Sequence, residues 1–401
     1  MQDIHQQSIS AEVGGTAHSL PSRVSRRAFI AGAAAAAAMT PKFLRASLYG
    51  GADGALLHLA TRASQSGQVH TFVLTREGCE LLGSTDIASF SAFAAHPLLP
   101  VLYVARDCKQ WENLPRGVVE TYAVQRDAPP LRLLSRTPMA LSATGPRSLA
   151  VAPCGRHLLV SASTGGAWNT FSLDGAGIPC SVAMSRKETG HVTSSGSIAF
   201  PAPHGLAFSP QGLWAVGTDP GSQHMSLLRP SSAEIAVLTR WETTHSLAHV
   251  APVWTADGRY VIAANAQTAS LSMYEVGAAS GRESKAEVRL GGTVQTMTPI
   301  KALLAHPSEP AIFTSRPQGN GSRLELWKMN ASGLRLATDT WISGDVVALA
   351  QHFDHLWAAS NDRLIRISTR DFRDTRTFEA PLHGAQALIV QSTIAHPLST
   401  I

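Results

Sequence analysis

The sequence contains few charged residues. Asp, Glu, Lys and Arg together make up 15% of its 401 residues, whereas hydrophobic residues make up 44%. A chain with this balance buries a large core, which excludes disorder over most of its length. The 32 glycines and 23 prolines argue against long solvated helices and favour many short strands joined by turns.

Cysteine is also scarce, and several catalytic motifs are missing. The four cysteines form no Cys-x-x-Cys pair and have no zinc-like spacing: Cys79, Cys108, Cys154 and Cys180. We expect them to be small buried or half-buried residues, and their spacing leaves the disulfide state open. G-x-S-x-G, H-E-x-x-H, P-loop and G-x-G-x-x-G motifs are absent, so serine hydrolase, zinc protease and nucleotide-binding functions have no support. No cofactor is expected.

Two histidine pairs have spacings that suggest a metal site: His245 with His249, and His352 with His355. On a strand, residues four apart share a face but lie about 13 Å apart, which is too far for one ion. Residues three apart point to opposite faces of a strand. We therefore expect no metal site at either pair.

The positive charge of the chain is concentrated near its N-terminus. The first 46 residues hold five basic and two acidic side chains, so they account for +3 of the formal net charge of +5 and leave +2 for the remainder. That remainder has no Lys/Arg run and no module of interleaved aromatic and basic residues. We expect no nucleic-acid partner.

No long hydrophobic run accompanies this basic segment. The apolar run Ala28–Met39 is about half as long as a membrane-spanning helix requires, so no permanent membrane anchor is expected. The stretch SRRAFIAGAAAAAA, with Arg26 and Arg27 before an alanine-rich run, resembles a twin-arginine export signal. It predicts residues 1–46 as a signal and leader, the export machinery as a partner, and a periplasmic or secreted protein. An ordinary alanine-rich helix with two basic residues is the alternative.

The remaining chain repeats one pattern of strand, turn and strand. PHGLAFSPQGLWAVGTD is one copy, and the copies can be anchored at Pro97, Pro153, Pro210, Ala256, Pro307 and Phe353. Successive anchors are 56, 57, 46, 51 and 46 residues apart. Further strand pairs, such as GQVHTFVLTREGCELLG and GSRLELWKMNASGLRLA, lie between the anchors. A period near fifty with about four strands per unit is typical of a β-propeller.

Residues 47–401 are therefore predicted to form an all-β, seven-bladed propeller with four-stranded blades. One blade combines GALLHLATRA near Gly54 with the C-terminal AQALIV, so that strands from both ends of the chain close the ring and remove its sheet edges. A pair of β-sandwiches is the alternative fold.

The order and spacing of four motifs resemble the lactonase-type propellers, the family of the propeller 6-phosphogluconolactonase and of carboxy-cis,cis-muconate cyclase. The stretches that carry the resemblance are ATRASQSGQVHTFVL, FAAHPLLPVLYVA, PHGLAFSPQGLWAVGTDPG and VWTADGRYVIAAN. The resemblance implies a site at the mouth of the central channel, where the family uses a His, two Arg and a Glu to open a lactone. Such chemistry requires a base or a positioned water, and cations that stabilise the oxyanion.

Position by position, the resemblance carries over two catalytic residues, His204 and Arg316. Asp219 fits the family's Asp-Leu-Gly element, and His249 lies one residue from a missing arginine, so both are candidate substrate-binding residues. Val250 occupies the place of the family's other arginine, and Ala266 that of its glutamate.

Two candidate functions follow from the residues that match the family and from those that replace its charged groups. One is an exported lactonase-like hydrolase acting on a small sugar-derived or acidic lactone. The other is a non-catalytic propeller that binds a ligand or a protein partner. Each residue also has a structural alternative: a histidine before a strand caps a turn or packs in the channel wall, Arg316 lines the channel, and Asp219 accepts backbone hydrogen bonds in its own turn.

Overall fold

A computed structural model shows a ring of seven four-stranded antiparallel sheets. It describes residues 55–63, 66–75, 77–180, 183–192, 198–243, 246–277, 286–330, 333–380 and 384–391. The predicted leader, residues 1–46, lies outside these described residues. Within them the structure contains no helix, and therefore none that could span a membrane.

The first three blades cover the N-terminal half of the ring. Blade one contributes β1 (Leu56–Ala63), β2 (Ser66–Leu74) and β3 (Cys79–Ala88). Blade two is β4 (Phe90–Ala95), β5 (Val101–Arg106), β6 (Val118–Val124) and β7 (Leu131–Pro138). Blade three is β8 (Pro146–Val151), β9 (His157–Ala162), β10 (Ala167–Ser172) and β11 (Met184–Lys187). A separate pair, β12 (His191–Val192) and β13 (Ile198–Ala199), follows it.

Four more blades and a closing strand complete the ring. Blade four is β14 (Leu206–Phe208), β15 (Ala215–Asp219), β16 (His224–Pro230) and β17 (Ile235–Glu242). Blade five is β18 (Val253–Trp254), β19 (Tyr260–Asn265), β20 (Ser270–Val276) and β21 (Val288–Gln295). Blade six is β22 (Ala302–Ala305), β23 (Ala311–Gln318), β24 (Gly321–Asn330) and β25 (Gly333–Ser343). Blade seven is β26 (Val346–His352), β27 (His355–Ser360), β28 (Arg363–Ser368) and β29 (Thr375–Glu379), and β30 (Ala385–Gln391) is the closing strand.

The two ends of the propeller close the ring as predicted. β30 pairs with β1, so that Leu56 faces Gln391 and Leu59 faces Leu388. The Gln391 side-chain amide also donates to the carbonyl oxygens of Leu99 at 2.7 Å and Val101 at 3.2 Å in blade two. The last strand therefore fills the innermost position of blade one and ties that blade to the next.

The core lies between the blades. The described residues form seven hydrophobic clusters, and each joins one pair of neighbouring blades. Middle strands are covered on both faces, which explains why β6 is buried throughout, including the polar Glu120 and Thr121 at its centre. Outer strands such as β7 are mostly exposed or half-buried, with few buried residues, because the outer edge of each blade faces solvent.

The cysteines differ in part from the expectation. All four are unpaired. Cys79 and Cys108 are half-buried, whereas Cys154 and Cys180, which lie in connections between strands, are exposed. A chain connection runs over the surface, so a small apolar residue in it is not forced into the core.

Candidate functional site

Each blade places one residue at, or up to three residues before, the start of its innermost strand, and these seven positions form a ring at one end of the central channel. We call them the mouth ring. Its members are Ser91, Arg147, His204, Val250, Lys301, Val347 and Gln386. The equivalence is visible in the sequence, since Pro146-Arg147-Ser148-Leu149-Ala150 and Pro203-His204-Gly205-Leu206-Ala207 occupy the same place in blades three and four.

In four blades the mouth-ring residue is left out of the residue pairing between the innermost strand and the strand next to it. The skipped residues are Ser91, Arg147, Val347 and Gln386. A residue left outside the ladder by such a bulge has its side chain re-aimed, and bulges are common beside functional sites. The mouth ring is therefore a recurring feature of the blades. Two of its members, Arg147 and Lys301, are cationic.

His204 is held in place through its backbone. Its N–H donates to the carbonyl of Thr218 at 2.8 Å, and its own carbonyl accepts a 2.5 Å hydrogen bond from the Ser161 hydroxyl of blade three. Two blades thus fix the residue before β14 begins. Neither bond uses the imidazole, which stays available for other contacts.

The imidazole of His204 meets that of His249 from the next blade. The ring centroids are 4.7 Å apart and the ring planes are inclined by 71°, an edge-to-face arrangement. Gly205 makes this approach possible, because a Cβ at that position would lie 2.7 Å from the Cα of Ala251. The structure thus brings two of the predicted site residues together.

The surroundings keep His204 neutral. Its pKa is lowered from 6.5 to about 4, first by burial and then by the nearby charges of His249 and Arg147. Arg147 was missed when the sequence was interpreted through the family motifs. The repeat itself was the available signal, because it aligns Arg147 with His204 in the preceding blade.

Asp219 supports the segment that leads to His204. Its side chain is 3% exposed, and its Oδ1 accepts hydrogen bonds from the N–H groups of Ala202 at 2.8 Å and Ser222 at 3.0 Å. The carboxylate therefore joins the turn after β15 to the residues just before the histidine. This geometry fits a positioning role.

Arg316 lies two blades away from His204, in blade six, and is nearly buried. Its Nε donates to Glu325 Oε1 at 2.6 Å. Glu325 also accepts hydrogen bonds from Thr314 at 3.0 Å and from the Trp327 indole at 3.1 Å. Among the described residues, no hydrogen bond, ion pair or ring contact joins Arg316 to His204.

The same arrangement occurs in blade two. Arg106 lies opposite Val118 in the strand pairing, two residues before Glu120, just as Arg316 lies opposite Arg323, two residues before Glu325. It pairs with Glu120 at 2.9 Å. Two residues further on, Tyr122 donates to Glu120 at 2.6 Å, in the place that Trp327 has in blade six. The repeat of this buried arginine, glutamate and aromatic group points to a role within the blade for Arg316.

The two positions where the family's charged groups are missing are apolar. Val250 and Ala266 are partly buried and pack against the hydrophobic cluster between blades five and six. The Ala266 N–H donates to the carbonyl of Ser246 at 2.8 Å, which extends the pairing beside β19. His249 is thus the polar side chain that this part of the chain offers to His204.

The histidine pairs considered for metal binding differ in their geometry. His352 and His355 are not three positions apart on one strand, as assumed from the sequence, but face each other across a two-residue turn. His245 lies outside the described residues. Within the residues that the structure does describe, no group of three His, Cys, Asp or Glu side chains has a metal-binding arrangement.

Comparison with known proteins identifies the fold. No protein-family model matches the chain, and no curated protein matches it. Solved structures do: a 6-phosphogluconolactonase-like protein from Bacteroides uniformis has a TM-score of 0.67 at 14% identity, over 84% of this chain and 99% of that one. A similar protein from Bacteroides fragilis has a TM-score of 0.65 at 12% identity, over 85% and 99%. The periplasmic gluconolactonase of Pseudomonas aeruginosa has a TM-score of 0.64 at 14% identity, over 85% and 99%.

At 12–14% sequence identity, the similarity to these solved structures establishes the fold alone. The chain has the seven-bladed propeller fold that the sequence predicted. The sandwich alternative is wrong, because every blade packs against two neighbours around a closed ring.

Proposed function

We propose that this chain is an exported lactonase-like hydrolase that opens a small lactone at the mouth ring. The observation that supports it most directly is the contact between His204 and His249 beside the charge of Arg147. Ester hydrolysis needs a neutral base and a cation for the developing oxyanion, and this group of residues supplies both.

In the proposed reaction, the His204 imidazole accepts a proton from water as the water oxygen attacks the lactone carbonyl. The carbonyl oxygen gains negative charge, which the Arg147 guanidinium stabilises. When the tetrahedral intermediate collapses, the ring C–O bond breaks, and the proton held by His204 passes to the leaving oxygen. One lactone and one water give one hydroxy acid, and both side chains return to their starting states.

The charge of the mouth ring favours an acidic substrate. Arg147 and Lys301 are both exposed, and the seven positions of the ring include no carboxylate. A lactone that carries a carboxylate away from its ester is attracted by this charge. A sugar-derived acid lactone is therefore the substrate class that we propose.

Export is the second part of the proposal. Arg26 and Arg27 before the alanine run support recognition by the twin-arginine machinery and a periplasmic or secreted location. One of the structural neighbours is a periplasmic gluconolactonase. We expect the double substitution Arg26→Lys, Arg27→Lys to leave the precursor in the cytoplasm, as measured by cell fractionation. Normal export of the double variant would reject the signal.

A non-catalytic propeller that binds a ligand or a protein partner is the second candidate. Three observations favour it: Val250 and Ala266 are packed against apolar neighbours, the Arg316 guanidinium is paired with Glu325, and the Asp219 carboxylate accepts backbone hydrogen bonds. In this candidate the mouth ring retains the ligand through Arg147 and Lys301 without hydrolysis.

A panel of small lactones separates the two candidates. It should include pairs that differ only in one carboxylate, assayed with wild type, His204→Ala and Arg147→Met. Arg186→Met is a matched control, since Arg186 is exposed on the outermost strand of the same blade as Arg147. The hydrolase predicts turnover that His204→Ala abolishes and that falls about a hundredfold in Arg147→Met, with Arg186→Met unchanged.

The non-catalytic candidate predicts a different pattern. Wild type would hydrolyse none of the lactones, but would bind an acidic one in a calorimetric titration, and Arg147→Met would weaken that binding. Turnover that neither His204→Ala nor Arg147→Met affects would exclude the mouth ring as the reaction site.

A further inference from the structure

The turn between β26 and β27 lies at the end of the channel opposite the mouth ring. It has only two residues, Phe353 and Asp354, between the paired His352 and His355. Phe353 is 69% exposed and has a φ of +48°, a conformation that bulky residues rarely adopt. An exposed aromatic side chain in a strained turn costs stability, and strain of this kind is a mark of functional positions.

A cavity opens beside this turn, between blades six and seven. Its volume is about 480 Å³, which is within the range of about 300–1,000 Å³ found for sites that bind small molecules. The buried side chains of Phe313 and Leu326 line it together with the exposed ring of Phe353. The cavity therefore offers aromatic and apolar contacts to a small molecule.

The charged side chains of the lining are paired with one another. Glu309 pairs with Lys328 at 3.2 Å, and Asp354 pairs with Arg370 at 2.5 Å. All four of these side chains are more than half exposed, so they lie at the edge of the cavity that faces solvent. Because two acidic groups balance two basic ones, the cavity does not select a charged ligand.

His306, the remaining titratable side chain of the lining, is neutral near pH 7. Burial lowers its pKa below the ordinary value, and the charges of Glu309 and Lys328 have smaller, opposite effects on it. Its Nδ1 accepts a hydrogen bond from the Glu309 N–H at 3.0 Å, so the neutral ring carries its proton on Nε2. In the part of the chain that the structure describes, this N–H has no hydrogen-bond acceptor. It can therefore donate to a ligand.

The lining also contains an acceptor without a partner. The side-chain N–H of Gln351 donates to the carbonyl of Phe353 at 3.1 Å. Its Oε1 is shielded from solvent and accepts no hydrogen bond from any described residue. A buried acceptor in this state costs stability, and a hydroxyl that reaches the amide would remove the cost.

We propose that this cavity binds a neutral pyranose ring, which stacks on Phe353 and places hydroxyls against His306 and Gln351. The two faces of a pyranose carry C–H groups that pack on an aromatic ring, and its edge carries hydroxyls that both donate and accept. A flat aromatic ligand would leave the polar groups of the lining unpaired, and an ion would meet charges that are already paired. The site is separate from the mouth ring and does not depend on lactone hydrolysis.

Calorimetric titration of the purified chain with methyl β-D-glucopyranoside at pH 7.5 tests the proposal. We expect saturable binding at one site, with a Kd on the order of 1 mM or lower. Three compounds should each bind about tenfold more weakly: cyclohexanol, which has one hydroxyl; glycerol, which has no ring; and methyl β-D-glucuronide, which adds a charge. Binding of any of them as tight as that of the glucoside, or no saturation with the glucoside, would reject this ligand class.

Substitution of Phe353 locates the binding site. Glycine accepts the positive φ at this turn and removes the aromatic ring. We therefore expect Phe353→Gly to melt at a temperature no lower than wild type and to bind the glucoside several-fold more weakly. Leu213→Ala is the matched control, since Leu213 is 63% exposed in the corresponding turn of blade four, between β14 and β15, and this variant should bind as wild type does. Unchanged binding in Phe353→Gly, or equal weakening in Leu213→Ala, would overturn the proposal.

Substitution of Gln351 tests the hydrogen bonding. Gln351→Met keeps the length of the side chain and removes the unpartnered acceptor, so it should weaken glucoside binding several-fold while cyclohexanol binds as it does to wild type. Equal weakening of both ligands, or of neither, would contradict a hydroxyl contact at Gln351. Cellobiose then distinguishes the two sources of a pyranose: tighter binding than the methyl glucoside assigns the ring to a glycan, and equal binding assigns it to a free sugar.

Discussion

The imidazole rings of His204 and His249 meet in an edge-to-face contact, with centroids 4.7 Å apart. The two histidines come from loops that precede the innermost strands of different blades. A proton on His204 would add positive charge beside His249 and near Arg147, in a partly buried place. This arrangement keeps His204 unprotonated near pH 7.

The first prediction concerns the pH profile of lactone hydrolysis. Because the pKa of His204 is lowered to about 4, kcat/KM should stay level from pH 7 downward and fall only near pH 4. His249→Phe and Arg147→Met each remove a charge that lowers this pKa, so the fall should move to higher pH in both variants. The rate profile and an NMR titration of the His204 ring measure the same event independently.

A histidine outside the mouth ring provides the control. His157→Gln changes a half-buried histidine at the start of β9. In this variant kcat/KM should fall at the same low pH as in wild type. If kcat/KM of wild type falls near pH 6.5 and the His204 ring titrates at the same pH, the proposed environment of His204 is wrong.

The second prediction tests how the two histidines are brought together. In Gly205→Ala the new methyl group would lie 2.7 Å from the Ala251 Cα, 2.8 Å from the Pro252 Cδ and 2.9 Å from the Thr218 hydroxyl. The loop carrying His249 must then move away. We expect a loss of about 1–3 kcal/mol in unfolding free energy and a His204 pKa that rises toward 6.5, as measured by denaturant unfolding and NMR.

Gly175→Ala is the matched control for that substitution, since nothing lies within 4 Å of the position where its Cβ would be. This substitution should leave both the unfolding free energy and the pKa of His204 close to their wild-type values. If Gly205→Ala behaves like Gly175→Ala, the close approach of the two loops does not hold His249 in place.

The third prediction concerns His58, in the blade that closes the ring. His58 is fully buried, its Nδ1 lies 3.1 Å from the Thr71 hydroxyl, and burial lowers its pKa to about 4. The unfolded chain takes up a proton near pH 6.5, whereas the folded chain does so only near pH 4. His58 therefore contributes stability above pH 6.5 that is lost as the pH falls toward 4.

The expected size of this effect is about 3 kcal/mol of unfolding free energy between pH 6.5 and 4. Urea unfolding of wild type and His58→Gln across this range measures it. The curve of the variant should be flatter by that amount, even if its stability at pH 7 is lower. Parallel curves would show that His58 is not the group that takes up the proton.

The propeller itself was predictable from the sequence because its information is local and repeated. The hairpin of Pro203–Asp219 became β14 and β15, and AQALIV became β30 paired with β1. Alternation along short strands and a constant period carry this information, so six copies of one pattern outweigh an error in any single copy.

The candidate site was harder to predict because it depends on which side chains face each other across blades. Matching family motifs identified His204 but overlooked Arg147, although the repeat aligns the two positions. The match also carried over Arg316, and the sequence could not show that Glu325, nine residues later, pairs with it. A partner on an adjacent strand depends on strand register, which motif spacing does not fix.

The last prediction separates a structural role of Arg316 from a catalytic one. Arg316→Met leaves the Glu325 carboxylate, which is 2% exposed, without its cation, and should cost about 3–5 kcal/mol of unfolding free energy. The equivalent Arg106→Met should cost less, because Arg136 still pairs with Glu120 at 2.8 Å. The double variant Arg316→Met, Glu325→Leu removes both buried charges and should recover most of the stability lost in Arg316→Met. If Arg316 acts only within its blade, the double variant should also recover the wild-type kcat/KM on the best lactone of the panel. A stable double variant that still lacks activity would instead place the Arg316 guanidinium on the substrate, as the family resemblance implies.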